Sequence, residues 1–217
     1  MNALKQVSIS LFCLLFFNFP SAQNGKNKTR NLVVVIDPGH GGKDAGAKTR
    51  NGVKEKDIAM GVASKIVELN NTLYNKPLQI FLTRYTDTLI ALGDRVRLSN
   101  KLKADVFISL HCNHATNRAA SGTEIYIFPK SEVQIEASTN LGVTIQNGLT
   151  AILGIKSRGV KKGNFQVLRD NISDNASILL ELGFLSQIDE AIYLSKEDSQ
   201  SAVALVILQS ITKYLGI

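Results

Sequence analysis

The sequence predicts a single three-layer α/β domain, a mostly parallel twisted sheet flanked by helices, and three observations carry that prediction. Short runs that are apolar throughout or nearly so recur along the chain: LVVVI at 32–36, VFISL at 106–110, interrupted only by Ser109, and ILL at 178–180. Runs of this kind belong to strands covered on both faces, as in parallel sheets. Between them lie segments whose apolar residues fall at helical spacing. At 217 residues and 44% hydrophobic content, the chain suffices for one well-buried domain rather than two.

The N-terminus has the form of a secretory signal peptide over residues 1–22. Lys5 is its positive start, Ile9 to Phe19 its apolar core, and Pro20-Ser21-Ala22 its small-residue end. The alternative, a retained membrane anchor, is disfavoured because the apolar core is short for a span. Cys13 follows Phe12, where a lipoprotein signal would place a small residue. Removal of the leader predicts a periplasmic, secreted or cell-wall-associated protein with no stable membrane insertion, starting with a short polar segment, 23–31. Its single remaining cysteine, Cys112, leaves stability to a core rather than to disulfides. With Lys5 removed in the leader, 24 of the 25 Lys and Arg face 18 Asp and Glu, an excess that suits an anionic partner such as a cell-wall polymer. An exported chain rarely meets nucleic acid, so that partner is not expected.

Leu32 to Ile36 forms the first strand and runs into Asp37-Pro38-Gly39, His40 and a glycine-rich loop. Glu55 opens a helix marked by Ile58, Val62, Ile66 and Leu69 and ending at Asn70-Asn71. An acidic residue also suits that position through the helix dipole alone. Pro77 to Thr83 is a second strand, Ala91 to Lys103 a second helix, and Asp105 to Leu110 a third strand that delivers His111-Cys112-Asn113-His114 at its end. Thr123 to Phe128 alternates as a strand. Glu132 to Leu153 reads as one helix, although Gly142 and Gly148 weaken it. The basic segment Lys156 to Lys162 and then Phe165 to Arg169 form a connection or short strand. A solvent-facing loop is the default there, although the segment stands where a basic groove wall would be. Ser177 to Leu180 is the last buried strand and delivers Glu181. Ser195 and Asp198 resemble a capping box opening a final helix with Val203, Val206, Ile207 and Ile211 on its apolar face.

In a parallel sheet, ligands gather at the carboxyl ends of the strands. All three histidines of the chain, His40, His111 and His114, fall at two such ends, and Glu181 falls at a third. Two neutral imidazoles and one carboxylate make a three-ligand zinc site with an open fourth position, the form of a catalytic site. A further carboxylate beside the water can take its proton and hand it to a leaving amine. Spacing alone does not decide whether Glu55 or Glu181 is the ligand, nor whether His111 or His114 is.

The motifs IDPGHGGKDAGA, EKD at 55–57, LTRYTD at 82–87, ISLHCNHA at 108–115 and LLELGFLSQIDE at 179–190 resemble, in order, those of the zinc-dependent N-acetylmuramoyl-L-alanine amidases of the Amidase_3 class. The resemblance covers nearly all of the chain from Leu32 onward. It implies one zinc ion held by His40, Glu55 and His111, with Glu181 as the catalytic carboxylate. It also implies peptidoglycan as substrate, cut at the amide between the lactyl group of N-acetylmuramic acid and the L-alanine of the stem peptide. His114 then becomes a rim residue, and Asn113 a group for bonding substrate or ligands. Asp37 and Asp44 become candidate orienters of the ligands, Arg84 and Arg95 fold-stabilising ion pairs, and Cys112 a buried small hydrophobe on the opposite side of its strand.

Some relatives of this class carry a helical insertion that plugs the zinc site until an activator displaces it. Here Ser131 to Arg158 is accounted for by one helix and its connections, which predicts an open site needing no protein activator. No wall-binding repeat flanks the domain, so targeting rests on the catalytic surface, its charge or a partner. Two rival functions use the same features: a zinc peptidase cutting within the stem peptide, and a noncatalytic cell-wall-binding module. The second does not require an intact Glu181. A phosphate-binding loop in GHGGKDAG is a weaker reading still, because its spacing is neither GxGxxG nor that of a P-loop.

Overall fold

The structure, a computed structural model, describes residues 31–74, 78–171 and 175–217. The expected leader at 1–22 and the polar segment to residue 30 lie outside the described residues, as does Pro77.

The elements follow one another as β1 (Val33–Pro38), α1 (Glu55–Leu73), β2 (Gln79–Leu82), α2 (Leu92–Leu102), β3 (Val106–Asn113), β4 (Thr123–Ile127), α3 (Glu132–Leu153), β5 (Ser157–Lys162), α4 (Gln166–Arg169), β6 (Ala176–Phe184), α5 (Ile188–Leu194) and α6 (Glu197–Leu215). The sheet runs β2-β1-β3-β6-β4-β5. β1, β2, β3 and β6 are parallel, β4 lies antiparallel to β6, and β5 pairs parallel with β4. The central strands are buried because both faces are covered. Val34, Ile108 and Ile178 face the larger core, shared with Ile58 and Val62 of α1, Leu141 and Ile145 of α3, and Val203 and Ile207 of α6. Val35, Phe107 and Leu179 face the smaller core, with Val96 of α2 and Leu168 of α4. The three-layer architecture is the expected one.

Several elements depart from their expected form. β3 and β6 do not stop before His111 and Glu181 but carry both residues inside the ladder. Pairing continues because the alternate residues Cys112 and Leu182 are buried in the larger core. The segment at 166–169 is a short helix, packing Val167 and Leu168 into the smaller core, whereas a connection or strand was expected. The basic stretch before it is an edge strand. The capping box at Ser195 is absent. Ser195 closes α5, an element without an expected counterpart, and its hydroxyl donates to the Ala191 carbonyl; Lys196 precedes α6 with no side-chain cap. One helix, α3, spans most of 131–158, begins at a Ser131 cap bonded to the Gln134 amide, and leads into β5 with no further helix between.

Candidate metal centre

His40 stands just past β1 with φ 59°, a left-handed conformation seldom taken by a residue with a β-carbon. Its surroundings hold it there. Arg95, 2% exposed, donates from Nη2 to the His40 carbonyl at 2.7 Å and from Nη1 to the Pro38 carbonyl at 2.8 Å and Asp37 Oδ1 at 2.7 Å. Asp37 also accepts from Thr83 and Ser109. Arg95 thus makes the expected ion pair. Arg84 does not: its guanidinium donates to the backbone carbonyls of Pro38, Gly39, Lys56 and Thr86, binding the loop to α1. Lys56 adds contacts from Nζ to the Gly42 carbonyl and to Asp87.

Glu55 is the first residue of α1, and its carboxylate is the hub of the site. Oε1 lies 3.0 Å from His40 Nε2 and 2.9 Å from His111 Nδ1, and accepts the Cys112 amide at 2.9 Å; Oε2 accepts the Ala47 amide at 2.8 Å. The two imidazoles meet edge to face, with ring centroids 4.9 Å apart. Glycine makes the closeness possible. A β-carbon at Gly39 would stand 2.4 Å from the His111 ring, and one at Gly46 (φ 64°) 2.4 Å from Glu55 Oε2 and 2.7 Å from the His40 ring.

Burial acts to raise the Glu55 pKa, but hydrogen bonds from His111 and His40 and the Cys112 amide outweigh it and hold the carboxyl far below its ordinary value. Burial acts to lower the His40 pKa, and the Glu55 and Asp44 carboxylates reverse this, raising it to about 9. Asp44 reaches back from the glycine loop to His40 Nδ1 at 2.8 Å. That leaves Nε2 pointing at Glu55, the carboxylate–imidazole arrangement that orients a metal-binding histidine.

The donor set fits a divalent metal. His40, Glu55 and His111 offer ligand atoms all within 4.8 Å of one another, the one such group among the described residues. Tetrahedral ligands around zinc, with bonds of about 2.0–2.1 Å, stand about 3.3 Å apart, close to the separations at Glu55 Oε1.

Glu181 pairs across the ladder with His111 on one side and Glu124 on the other. Its Oε2 is buried without a hydrogen-bond partner among the described residues. Burial pushes its pKa up to about 7; His111 pulls it down, while Glu55 and Glu124 add to the rise. A carboxyl so placed exchanges protons near neutrality. A cleft of about 500 Å³ opens beside the histidines, walled by Leu89, Ile90 and Leu92.

His114 is exposed and outside the cluster, as expected of a rim residue. Asn113 is committed to the protein, accepting the His114 amide and donating to Glu124, rather than to the ligands. Cys112 is buried in the larger core, with its thiol pKa pushed well up by burial. Glu124 was not anticipated: buried at 3% exposure, it accepts from Asn113, Tyr126, Arg158 and Lys161. Its only signal in the sequence is a charge at an inward alternate position of the apolar strand TEIYIF.

A three-layer α/β domain that bears on one rim a His-Glu-His cluster able to hold a metal ion, with a carboxyl beside it, has the donor set of a metal-assisted hydrolase. The family model described as N-acetylmuramoyl-L-alanine amidase, Amidase_3, matches residues 34–213. The chain belongs to that family. It is similar to the uncharacterized protein YqiI of Bacillus subtilis, 35% identical over 95% of this chain and 96% of that one. It is 29% identical to the N-acetylmuramoyl-L-alanine amidase AmiC of Neisseria meningitidis over 91% of its own length, spanning 56% of AmiC. The catalytic domain of the amidase CwlV from Bacillus (Paenibacillus) polymyxa superposes with a TM-score of 0.77 at 36% identity, covering 86% of this chain and 99% of that domain.

Proposed function

We propose that this chain is a zinc-dependent amidase that hydrolyses the bond between the lactyl group of N-acetylmuramic acid and the L-alanine of the peptidoglycan stem. The observation that carries the proposal is the buried Glu181 Oε2, without a hydrogen-bond partner among the described residues, beside the His40–Glu55–His111 cluster. Binding alone has no use for it. Zinc held by these three residues would supply a Lewis acid and lower the pKa of water to about 7.

Glu181 is the proton carrier. It accepts a proton from the attacking water as the water oxygen bonds to the lactyl carbonyl carbon. It then delivers that proton to the alanine nitrogen as the C–N bond breaks, leaving a lactyl carboxylate and a free stem peptide. His40 and His111 would hold the zinc, with the His40 ring oriented by Asp44. The site needs no activator on this reading, because α3 is the one helix between β4 and β5 and both histidines keep about a fifth of their side-chain surface exposed. Residues 1–22 act as an export signal and place the enzyme outside the cytoplasm, at its substrate; among the described residues no helix is long and apolar enough to cross a membrane.

The test incubates the chain from Gln23 with purified peptidoglycan, with and without chelator and beside Glu181→Gln, and identifies products by mass spectrometry. Stem peptides beginning in L-alanine with intact glycan strands, lost on chelation and in the variant, are expected. Fragments cut inside the peptide would make the protein a zinc peptidase, and wall binding without cleavage would make it a binding module.

A further inference from the structure

The rim does not end at Glu181. Glu124 of β4 stands next to it in the antiparallel ladder, and beyond Glu124 lies β5, the outer strand. Arg158 and Lys161 of that strand both reach Glu124 Oε1, from Nε at 2.5 Å and from Nζ at 2.8 Å. In a regular strand, residues three apart face opposite sides of the sheet. Here Thr123 pairs with Ser157 but Ile125 with Val160, so β5 carries one extra residue, with Gly159 at φ 86°. The bulge turns both cations to the face that holds His111 and Glu181.

Two cations are thus gathered on one anion. Glu124 keeps its charge: burial raises its pKa, but Lys161, Arg158 and Tyr126 bring it down to about 2. One positive charge is left over, and it faces solvent, since the Arg158 and Lys161 side chains are 31% and 40% exposed. Their donors are not used up. Arg158 spends Nε on Glu124 and Nη1 on the Ser121 carbonyl at 3.4 Å, while Lys161 makes a single bond through Nζ. The guanidinium is steadied 5.0 Å above the Phe184 ring. On the opposite side of the histidines, the cleft wall of Leu89, Ile90 and Leu92 is apolar, and Arg95 and Arg84 are buried on carbonyls and Asp37. The rim is therefore polarised, apolar at one end and cationic at the other.

We propose that Arg158 and Lys161, braced by Glu124, form a carboxylate-binding wall that selects stem peptides with a free carboxylate on the second or third residue. The proposal rests on the amidase reading for its substrate. Strands are about 4.8 Å apart, so Glu124, on which the two cations converge, stands two strands, about 10 Å, from His111 of the metal cluster. A peptide laid along the rim advances about 3.3–3.6 Å per residue, which brings its second and third residues to the two cations while the amide before its first residue lies at the metal cluster. The apolar wall is left to the sugar faces.

The test uses two synthetic N-acetylmuramoyl tripeptides that differ only in whether the carboxylates of the second and third residues are free or amidated. Each is titrated calorimetrically into zinc-loaded Glu181→Gln protein, alone and combined with Lys161→Met or Arg158→Gln. The free-carboxylate peptide is expected to bind about tenfold more tightly, as one charge-assisted contact allows, and the ratio to fall below about threefold on adding either change. Equal affinities without the added change, no measurable binding of either peptide, or an unaltered ratio in Lys161→Met would overturn the proposal. If Arg158→Gln does not fold, Lys161→Met decides alone, since it leaves Glu124 with three donors. Hydrolysis of the same peptides by the unaltered protein separates the two readings. A ratio without hydrolysis keeps the wall and removes the amidase; hydrolysis without a ratio does the reverse.

Discussion

His111 and Glu181 are paired residues of the central β3–β6 ladder. An imidazole of the His-Glu-His cluster and the Glu181 carboxyl therefore project from the same face of two adjacent strands, with backbone hydrogen bonds setting their spacing. Glu55 reaches the same point from the first turn of α1, and His40 from the loop after β1. Two of the four groups are thus fixed by sheet register, one by the start of α1 and one by the glycine-rich loop, and the predictions concern how each is held.

Zinc affinity should rise with pH up to about 9. A histidine must be neutral to ligate a metal. In the metal-free protein burial lowers the His40 pKa but the Glu55 and Asp44 carboxylates raise it to about 9, so below that value zinc displaces a proton. Affinity is expected to climb about tenfold per pH unit from pH ~7 to ~9, with close to one proton released. Calorimetry in buffers of different ionisation enthalpy reads both, and a flat affinity over that range would contradict the assignment. In the metal-free chain the sign is opposite for stability. The raised His40 pKa stabilises the fold fully below its unfolded value of 6.5 and the contribution is lost as pH rises through about 9.

Asp44→Ala should weaken zinc binding by about 10- to 100-fold while leaving the fold intact. The Asp44 side chain is half-exposed and its bond to His40 Nδ1 orients that ring without packing in either core. Competition against a chromogenic chelator measures the loss. An unchanged affinity would reduce Asp44 to a surface carboxylate.

Gly39→Ala should displace His111. The added methyl would sit 2.4–2.7 Å from three atoms of the imidazole, closer than any van der Waals contact, and Gly39 is followed by a backbone that Arg84 and Arg95 hold rigidly. The zinc content of the purified variant, read by atomic absorption, is expected to fall well below one per chain. Full occupancy would show that the ring can retreat and still ligate.

Arg95→Ala should destabilise the fold by about 3–5 kcal/mol, the usual cost of removing one partner of a buried ion pair. Asp37 and Arg95 are 1% and 2% exposed, and the loss would also free the His40 carbonyl. Lysine should not rescue it, because one ammonium cannot span Asp37, Pro38, His40 and Ile90 as the guanidinium fork does. Urea denaturation monitored by circular dichroism measures the difference; a change under about 1 kcal/mol would overturn the role.

The layer architecture, the order of the principal elements and the gathering of His40, Glu55, His111 and Glu181 on one rim were legible in the sequence by itself. Continuously apolar runs call for cover on both faces, and the histidines follow where those apolar runs end. What only the tertiary structure decided lies across strands and in loops. Whether β3 and β6 stop before or after His111 and Glu181 depends on Cys112 and Leu182 finding a core built by distant helices. The convergence of Arg158 and Lys161 on Glu124 depends on a bulge against β4, and the selection of Asp44 over Asp37 as the partner of His40 on which aspartate Arg95 claims. These are contacts between residues 4 to 72 positions apart. Local periodicity determines which face of an element is buried, but only packing in three dimensions determines which charges meet there.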